Sequence, residues 1–260
     1  MRILIFCVFL LSACASKEYQ DIPNSITVDS GSFILLESEK AGFDGYFVNK
    51  RNKELLVYGL PYVNEDTMQK LGDYELLILQ KDFGESRIEI TDQNLVLPKL
   101  EDQKRATAEY LKVRKIIKNK TKQFDDNFEF LSPIESVITS AFGKRRFINN
   151  NERSPHMALD LRGAVGREIF ASKTGKVVLA ENHFYGGNKV ILDHGGGLFT
   201  AYSHMSEILV ESEDVIEAGT VIGFVGMTGR VTGPHLHWEV FLNGNRINPE
   251  SLVDLEYAQD

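Results

Sequence analysis

Apolar residues in this chain arrive in runs of six to eight, each closed by a turn-forming or polar residue, and one stretch breaks the habit. SFILLES, GYFVNK, ELLVYGL, YELLILQ and SRIEITD fall between residues 26 and 97. GKVVLAE, NKVILDHG, LFTAYSHM, TVIGFVG and HLHWEVFL follow after residue 130. Runs of this length, rich in β-branched and aromatic residues with Gly, Asn or Asp between them, read as strands. Ile88 and Ile90, Val177 and Leu179, and Val190 and Leu192 recur at the two-residue period of a pleated chain. The expectation is a mainly β protein. A small N-terminal β domain covers 26–98, a predominantly antiparallel C-terminal domain covers 130–254, and 255–260 is a tail.

The exception lies over 99–129. After Pro98, the segment EDQKRATAEYLKVRKIIKNKTK carries Ala106, Tyr110, Val113 and Ile117 at spacings of four, three and four. That is one apolar face of a helix, and it predicts a helical connector between the two β regions. Eight Lys or Arg lie between positions 104 and 122. Such a stripe could grip an anionic polymer or lipid head groups, but a solvated helix face accounts for it.

The start of the chain, MRILIFCVFLLSACASK, stands outside this pattern. Arg2 precedes an apolar run from Ile3 to Leu11, too short to span a bilayer and suited to a secretory signal. Leu11-Ser12-Ala13-Cys14 resembles a bacterial lipoprotein signal, which implies cleavage after residue 13 and a lipid on Cys14. The alternative is an ordinary signal peptide cut near Ala15. Residues 14–25 read as a tether. Cleavage before Cys14 removes Cys7, so a lipidated Cys14 leaves no thiol for a disulfide. The formal net charge of −8 argues against a nucleic-acid partner.

Only six histidines are present, and two of them sit in TGPHLHWEVFL. In a strand, His235, His237 and Glu239 share one face, and Leu236, Trp238 and Val240 share the other. Upstream, SPHMALD places His156 four residues before Asp160, with a nearby glycine that favours a loop running into a strand. Two neutral nitrogens and one carboxylate, with a fourth position left open, make the pattern of catalytic rather than structural zinc. Glu239 could orient a ligand histidine, although a salt bridge is the simpler expectation. His183 and His194 read as structural, and Asn149 to Asn151 as a plain loop. Gly226, Gly229 and Gly233 with Pro234 are either ordinary turn residues or a tight loop that feeds His235 into a groove.

These motifs, together with AYSHM, SAFGKRR and INPESL, resemble the lysostaphin/LytM-type zinc endopeptidases that cut bacterial cell-wall peptides. The resemblance covers roughly 132–253, and the β-rich region before it resembles the domain that precedes this peptidase in exported enzymes. It implies an antiparallel LytM-like peptidase domain in which His156, Asp160 and His237 hold one zinc ion. It also makes His204 and His235 the catalytic partners. Ala158 stands where the family usually has glycine, which leaves the ligands unaffected if φ there is negative. Zinc lowers the pKa of a bound water from near 16 to roughly 7, and a neutral histidine can relay its proton. The other imidazole can stabilise the oxyanion.

Peptidoglycan stem peptides are the expected substrate, with the D-alanine to diaminopimelate cross-link favoured over a glycine bridge. Ala15 after Cys14 resembles outer-membrane lipoproteins facing the periplasm. Some LytM-like proteins have lost ligands and activate amidases instead, but here all five positions are filled. A lipid-anchored scaffold would leave the histidines unexplained. An N-terminal domain placed ahead of a destructive hydrolase could also cover its groove and restrain it.

Overall fold

The computed structural model describes residues 25–253 and residue 255. The signal peptide over 1–13, Cys14 and nearly all of the tether lie outside the described residues.

The first six strands are β1 (Ser25–Asp29), β2 (Phe33–Glu37), β3 (Tyr46–Lys50), β4 (Lys53–Gly59), β5 (Thr67–Leu71) and β6 (Tyr74–Leu79). They form two three-stranded sheets, ordered β1-β6-β5 and β2-β4-β3. Leu36, Leu56, Tyr58, Leu60, Leu76 and Ile78 fill a core of their own. Arg51 and Asn52, at φ 52° and 63°, join β3 to β4. Two positive φ values in a two-residue loop are what a tight hairpin demands of its turn. The next strand, β7 (Glu85–Ile88), leaves this unit and is described below with its partner. Two single-turn helices, α1 (Ser38–Ala41) and α2 (Gln93–Val96), precede the long α3 (Leu100–Ile116).

The C-terminal region begins with β8 (Ile138–Ser140), β9 (Arg145–Ile148), β10 (Asn151–Arg153), β11 (Leu159–Arg162) and β12 (Glu168–Phe170). It continues with β13 (Gly175–His183), β14 (Gly187–Gly195), β15 (Leu198–Ile208), β16 (Val215–Ile216), β17 (Val221–Val225), β18 (His235–Leu242) and β19 (Asn245–Ile247). Ten of these make one sheet whose main path runs β16-β13-β14-β15-β18-β11-β8. Its pairings are antiparallel throughout. The remaining two, β9 and β10, form a hairpin to which β7 adds in parallel.

Strand β18 lies centrally, between β15 and β11. Its even residues, Leu236, Trp238, Val240 and Leu242, enter the main core with Tyr202, Leu159 and Leu161. Tyr46, Val48 and Val57 of the N-terminal sheets join that same core. The odd residues of β18 face the other way, toward the histidines at one end and toward α3 at the other. Val113 and Ile117 pack there against Leu179, Ile191, Phe199, Ala201 and Phe241.

The connector is therefore a cover on the sheet, and half of its expected apolar face is used. Ala106 is only half-buried, and Tyr110 is exposed, its ring beneath Arg114 instead of in a core. The amino-terminal turns of α3 end at the rim of the sheet, where polar contacts replace packing. Arg105 donates to Asn182, and Glu109 accepts from the backbone N–H of Phe184. All eight basic residues between 104 and 122 are exposed, as a solvated face requires. Past the helix, the Gln123 amide bonds both backbone groups of Phe47, at 2.8 and 2.9 Å, and clamps the segment to β3.

Candidate metal centre

The strand pattern of HLHWEVFL delivers what its alternation promises. His237 lies in register with Asp160 on β11 and with Ser203 on β15. His156 reaches the same point from the loop ahead of β11, held by hydrogen bonds between its backbone and those of Lys144 and Gly143. The His237 Nδ1 lies 2.7 Å from the Asp160 Oδ1 and 3.3 Å from the His156 Nε2, and the latter is 3.1 Å from that same oxygen. Two ligands of a tetrahedral zinc at about 2.0–2.1 Å stand roughly 3.3 Å apart, so this trio fits such an ion. Ala158 is fully buried beside it, and its φ is not positive, so the ligand loop needs no glycine there.

Three imidazoles are oriented by backbone carbonyls. His156 Nδ1 donates to Ala141 O at 2.9 Å, His204 Nδ1 to Thr228 O at 2.8 Å and His235 Nδ1 to Gly233 O at 2.8 Å. Each thus turns Nε2 inward, the arrangement that fixes a tautomer for metal or proton chemistry. His204, His235 and His237 also bring ring nitrogens within 4.8 Å of one another. All five positions read from the sequence converge. The leading SAFGKRR segment contributes more than resemblance, since Ser140 and Ala141 both contact His156.

Electrostatics follow from enclosure. Burial would raise the Asp160 carboxyl, but His156 and His237 outweigh it and hold it well below its usual range. Burial drives His237 down to about 4. His204 lies well below its ordinary value, through burial first and then through His237 and His235. His204 and His237 are therefore neutral near pH 7.

His204 holds a feature the sequence did not announce: its φ is +66°. A side-chain-bearing residue in the left-handed region stores strain of order 1–3 kcal/mol, commonly at functional sites. Its N–H bonds Gly186 O at 2.8 Å, and the flanking pairings of β15 shift register on both sides. The loop before β18 closes over that turn. A Cβ on Gly229 (φ +78°) would meet Gly187 N and Tyr185 O at 2.4 Å, so this glycine permits a close backbone approach. A Cβ on Gly233 would meet nothing within 4 Å, so the tight-loop reading does not extend to it.

The remaining candidates take structural places. Glu239 is buried between Lys189 (2.5 Å) and Arg246 (2.8 Å), the salt bridge expected of it. Burial opposes its charge, and those two cations outweigh that and lower its pKa. His194 bonds Thr174 O and the Thr200 hydroxyl, and His183 pairs with Glu181. Asn149 and Asn150, at φ 48° and 63°, are not a plain loop but the two-residue turn of the β9–β10 hairpin. Among the described residues, the side-chain and backbone partners of the four site histidines all come from residues 140–237. The N-terminal strands therefore do not cover these side chains by direct hydrogen bonding.

The sequence model of peptidase family M23 matches residues 154–249, the stretch that holds all five side chains. This part of the chain is a family M23 peptidase domain. The chain is 40% identical over 119 residues to the peptidoglycan DD-endopeptidase ShyA of Vibrio cholerae, a match covering 45% of this chain and 28% of that protein. It is 37% identical over 116 residues to the DD-carboxypeptidase/endopeptidase Mpg of Neisseria meningitidis, covering 45% of this chain and 27% of that one. The matches thus span a quarter to a third of these curated relatives. A crystal structure of a candidate peptidase M23 from Pseudomonas aeruginosa superposes with a TM-score of 0.68 at 27% identity. It covers 85% of this chain and 92% of its own, so its likeness extends beyond the M23 domain into the N-terminal strands.

Proposed function

We propose that this chain is a zinc-dependent endopeptidase that hydrolyses peptide cross-links of bacterial peptidoglycan, at the D-alanine to diaminopimelate bond. One observation carries the reading: His156, Asp160 and His237 present donors 2.7–3.3 Å apart, with His204 and His235 beside them. The relatives' names, DD-endopeptidase and DD-carboxypeptidase/endopeptidase, support the substrate class. A zinc ion on these residues supplies Lewis-acid polarisation of the scissile carbonyl and a more acidic attacking water. His156, Asp160 and His237 are its holders. His204, kept neutral and oriented through Thr228 O, accepts a proton at Nε2 and passes it to the leaving amine. His235, oriented through Gly233 O, offers the second imidazole for the oxyanion.

The test is digestion of purified cell walls by the full chain, read by mass spectrometry. Cross-linked dimers should become monomers with a new D-alanine carboxylate and a free diaminopimelate amine. A chelator should stop the release and zinc should restore it. Products cut in the glycan strand, or no products with zinc bound, would exclude the reading.

We further propose export and a lipid anchor at Cys14, facing the periplasm from the outer membrane. Among the described residues no helix is long and apolar enough to cross a membrane. The acyl chains on Cys14 would supply the membrane attachment. Cys14→Ala should abolish incorporation of labelled fatty acid and release the protein from membranes. Labelling that persists in this variant rules the anchor out.

A further inference from the structure

The β9–β10 hairpin carries an arrangement that folding alone disfavours. Arg146 and Arg153 are directly opposed across the two strands. Like charges in that relation destabilise a sheet. Alternation puts Arg146 on the same side as Ile148, which is fully buried, so this face of the hairpin turns inward. Arg145, on the outer side, is matched with Glu152 at 2.9 Å and Glu85 at 3.4 Å. The inward pair has no such match. Arg230, in the loop ahead of β18, lies over the Tyr185 ring at 4.2 Å.

Arg146, Arg153 and Arg230 are each half-buried, and among the described residues none has a hydrogen bond or ion pair to a carboxylate. This occurs in a chain of 37 acidic and 29 basic residues, where partners are plentiful. The three lie around the metal centre, Arg230 because its backbone N–H bonds Tyr185 O at 2.9 Å, next to the Gly186 carbonyl that holds the His204 N–H. Arg153 stands three residues before the ligand His156, whose backbone bonds Lys144 on the facing segment. Burial lowers the pKa of Arg146, and Asp160 acts against it. Burial also lowers that of Arg230, and Arg146 and Arg153 add to it. Partly enclosed cations with no carboxylate in hydrogen-bond contact are costly unless a ligand supplies one. A guanidinium pairs best with a planar carboxylate, in two parallel hydrogen bonds.

We infer that Arg146, Arg153 and Arg230 form a carboxylate subsite beside the metal centre, selecting peptides that carry a free carboxylate on the residue next to the scissile bond. The inference rests on the peptidase reading above and narrows it. The diaminopimelate residue of a D-alanyl cross-link bears such a group on the carbon that holds the leaving amine. The interior of a glycine bridge has none.

The test compares a cross-linked muropeptide dimer with the same dimer amidated at that carboxylate. Amidation should raise KM for the full chain roughly ten- to hundredfold, with little change in kcat. Arg146→Gln and Arg153→Gln should raise KM for the free dimer to that level and leave the amidated dimer unaffected. Arg146→Lys should restore part of the difference, and unchanged melting temperatures would show that the variants are folded. Equal KM for the two dimers, or a preference that survives both Gln variants, overturns the subsite. Should neither dimer be cut, calorimetric binding of both probes to the full chain separates the two ideas. Tighter binding of the free form keeps the subsite and removes the cleavage reading, and equal binding removes both.

Discussion

Full-length protein carrying His237→Ala should bind no zinc after dialysis and release no muropeptide from cell walls. His237 Nδ1 sits nearest to Asp160, at 2.7 Å, and it closes the trio with His156. Without it two donors remain, one fewer than the three protein ligands that catalytic zinc ordinarily needs. Metal-assisted polarisation lowers the barrier by several kcal/mol, so its loss costs at least about a thousandfold in rate. The fold should survive, because Leu236 and Trp238, the neighbours that enter the core, are untouched. Elemental analysis and a thermal melt report metal and folding separately. A folded His237→Ala protein that keeps one zinc and normal turnover would falsify the assignment of this residue.

His204→Ala should behave differently: zinc retained, hydrolysis reduced roughly 10²- to 10⁴-fold, the range of a lost general acid–base group. Its ring touches the site from the side of Thr228, and the contacts among His156, Asp160 and His237 do not depend on it. Alanine still has to occupy φ +66°, so a second variant is informative. Asparagine tolerates the left-handed region better than most residues, and His204→Asn should lose activity equally while melting no lower than His204→Ala. Zinc lost along with activity in both variants would place His204 among the ligands.

What the sequence carried well was whatever depends on period. Alternation in HLHWEVFL puts two histidines on one face and Trp238 in the core, with no knowledge of partners required. The loop-to-strand reading of SPHMALD holds too, since β11 begins at Leu159. What escaped depends on where strands meet. Strands β1 and β5 are short and half polar, SITVD and TMQKL, and become strands only through pairing with β6. Tyr110 fits the helical face by spacing but faces solvent, because the sheet ends before reaching it. The opposition of Arg146 and Arg153 is invisible until the hairpin register is known. That register follows from Asn149-Asn150, which reads as a plain loop in the sequence and is the hairpin turn in the fold. The left-handed backbone of His204 has no sequence signature, because it is imposed by Gly186 O and by bulges in the two strands beside it.

The parallel pairing of Glu85–Ile88 with Arg145–Ile148 binds the two halves of the chain at a sensitive place. A catalytic unit transplanted alone into another enzyme, or produced as a stand-alone lytic reagent, would expose the row of backbone donors and acceptors that Glu85–Ile88 now satisfies. Bare strand edges of this kind recruit neighbouring molecules. Recombination, natural or engineered, therefore has to carry this short ribbon along with the catalytic half or replace it with another.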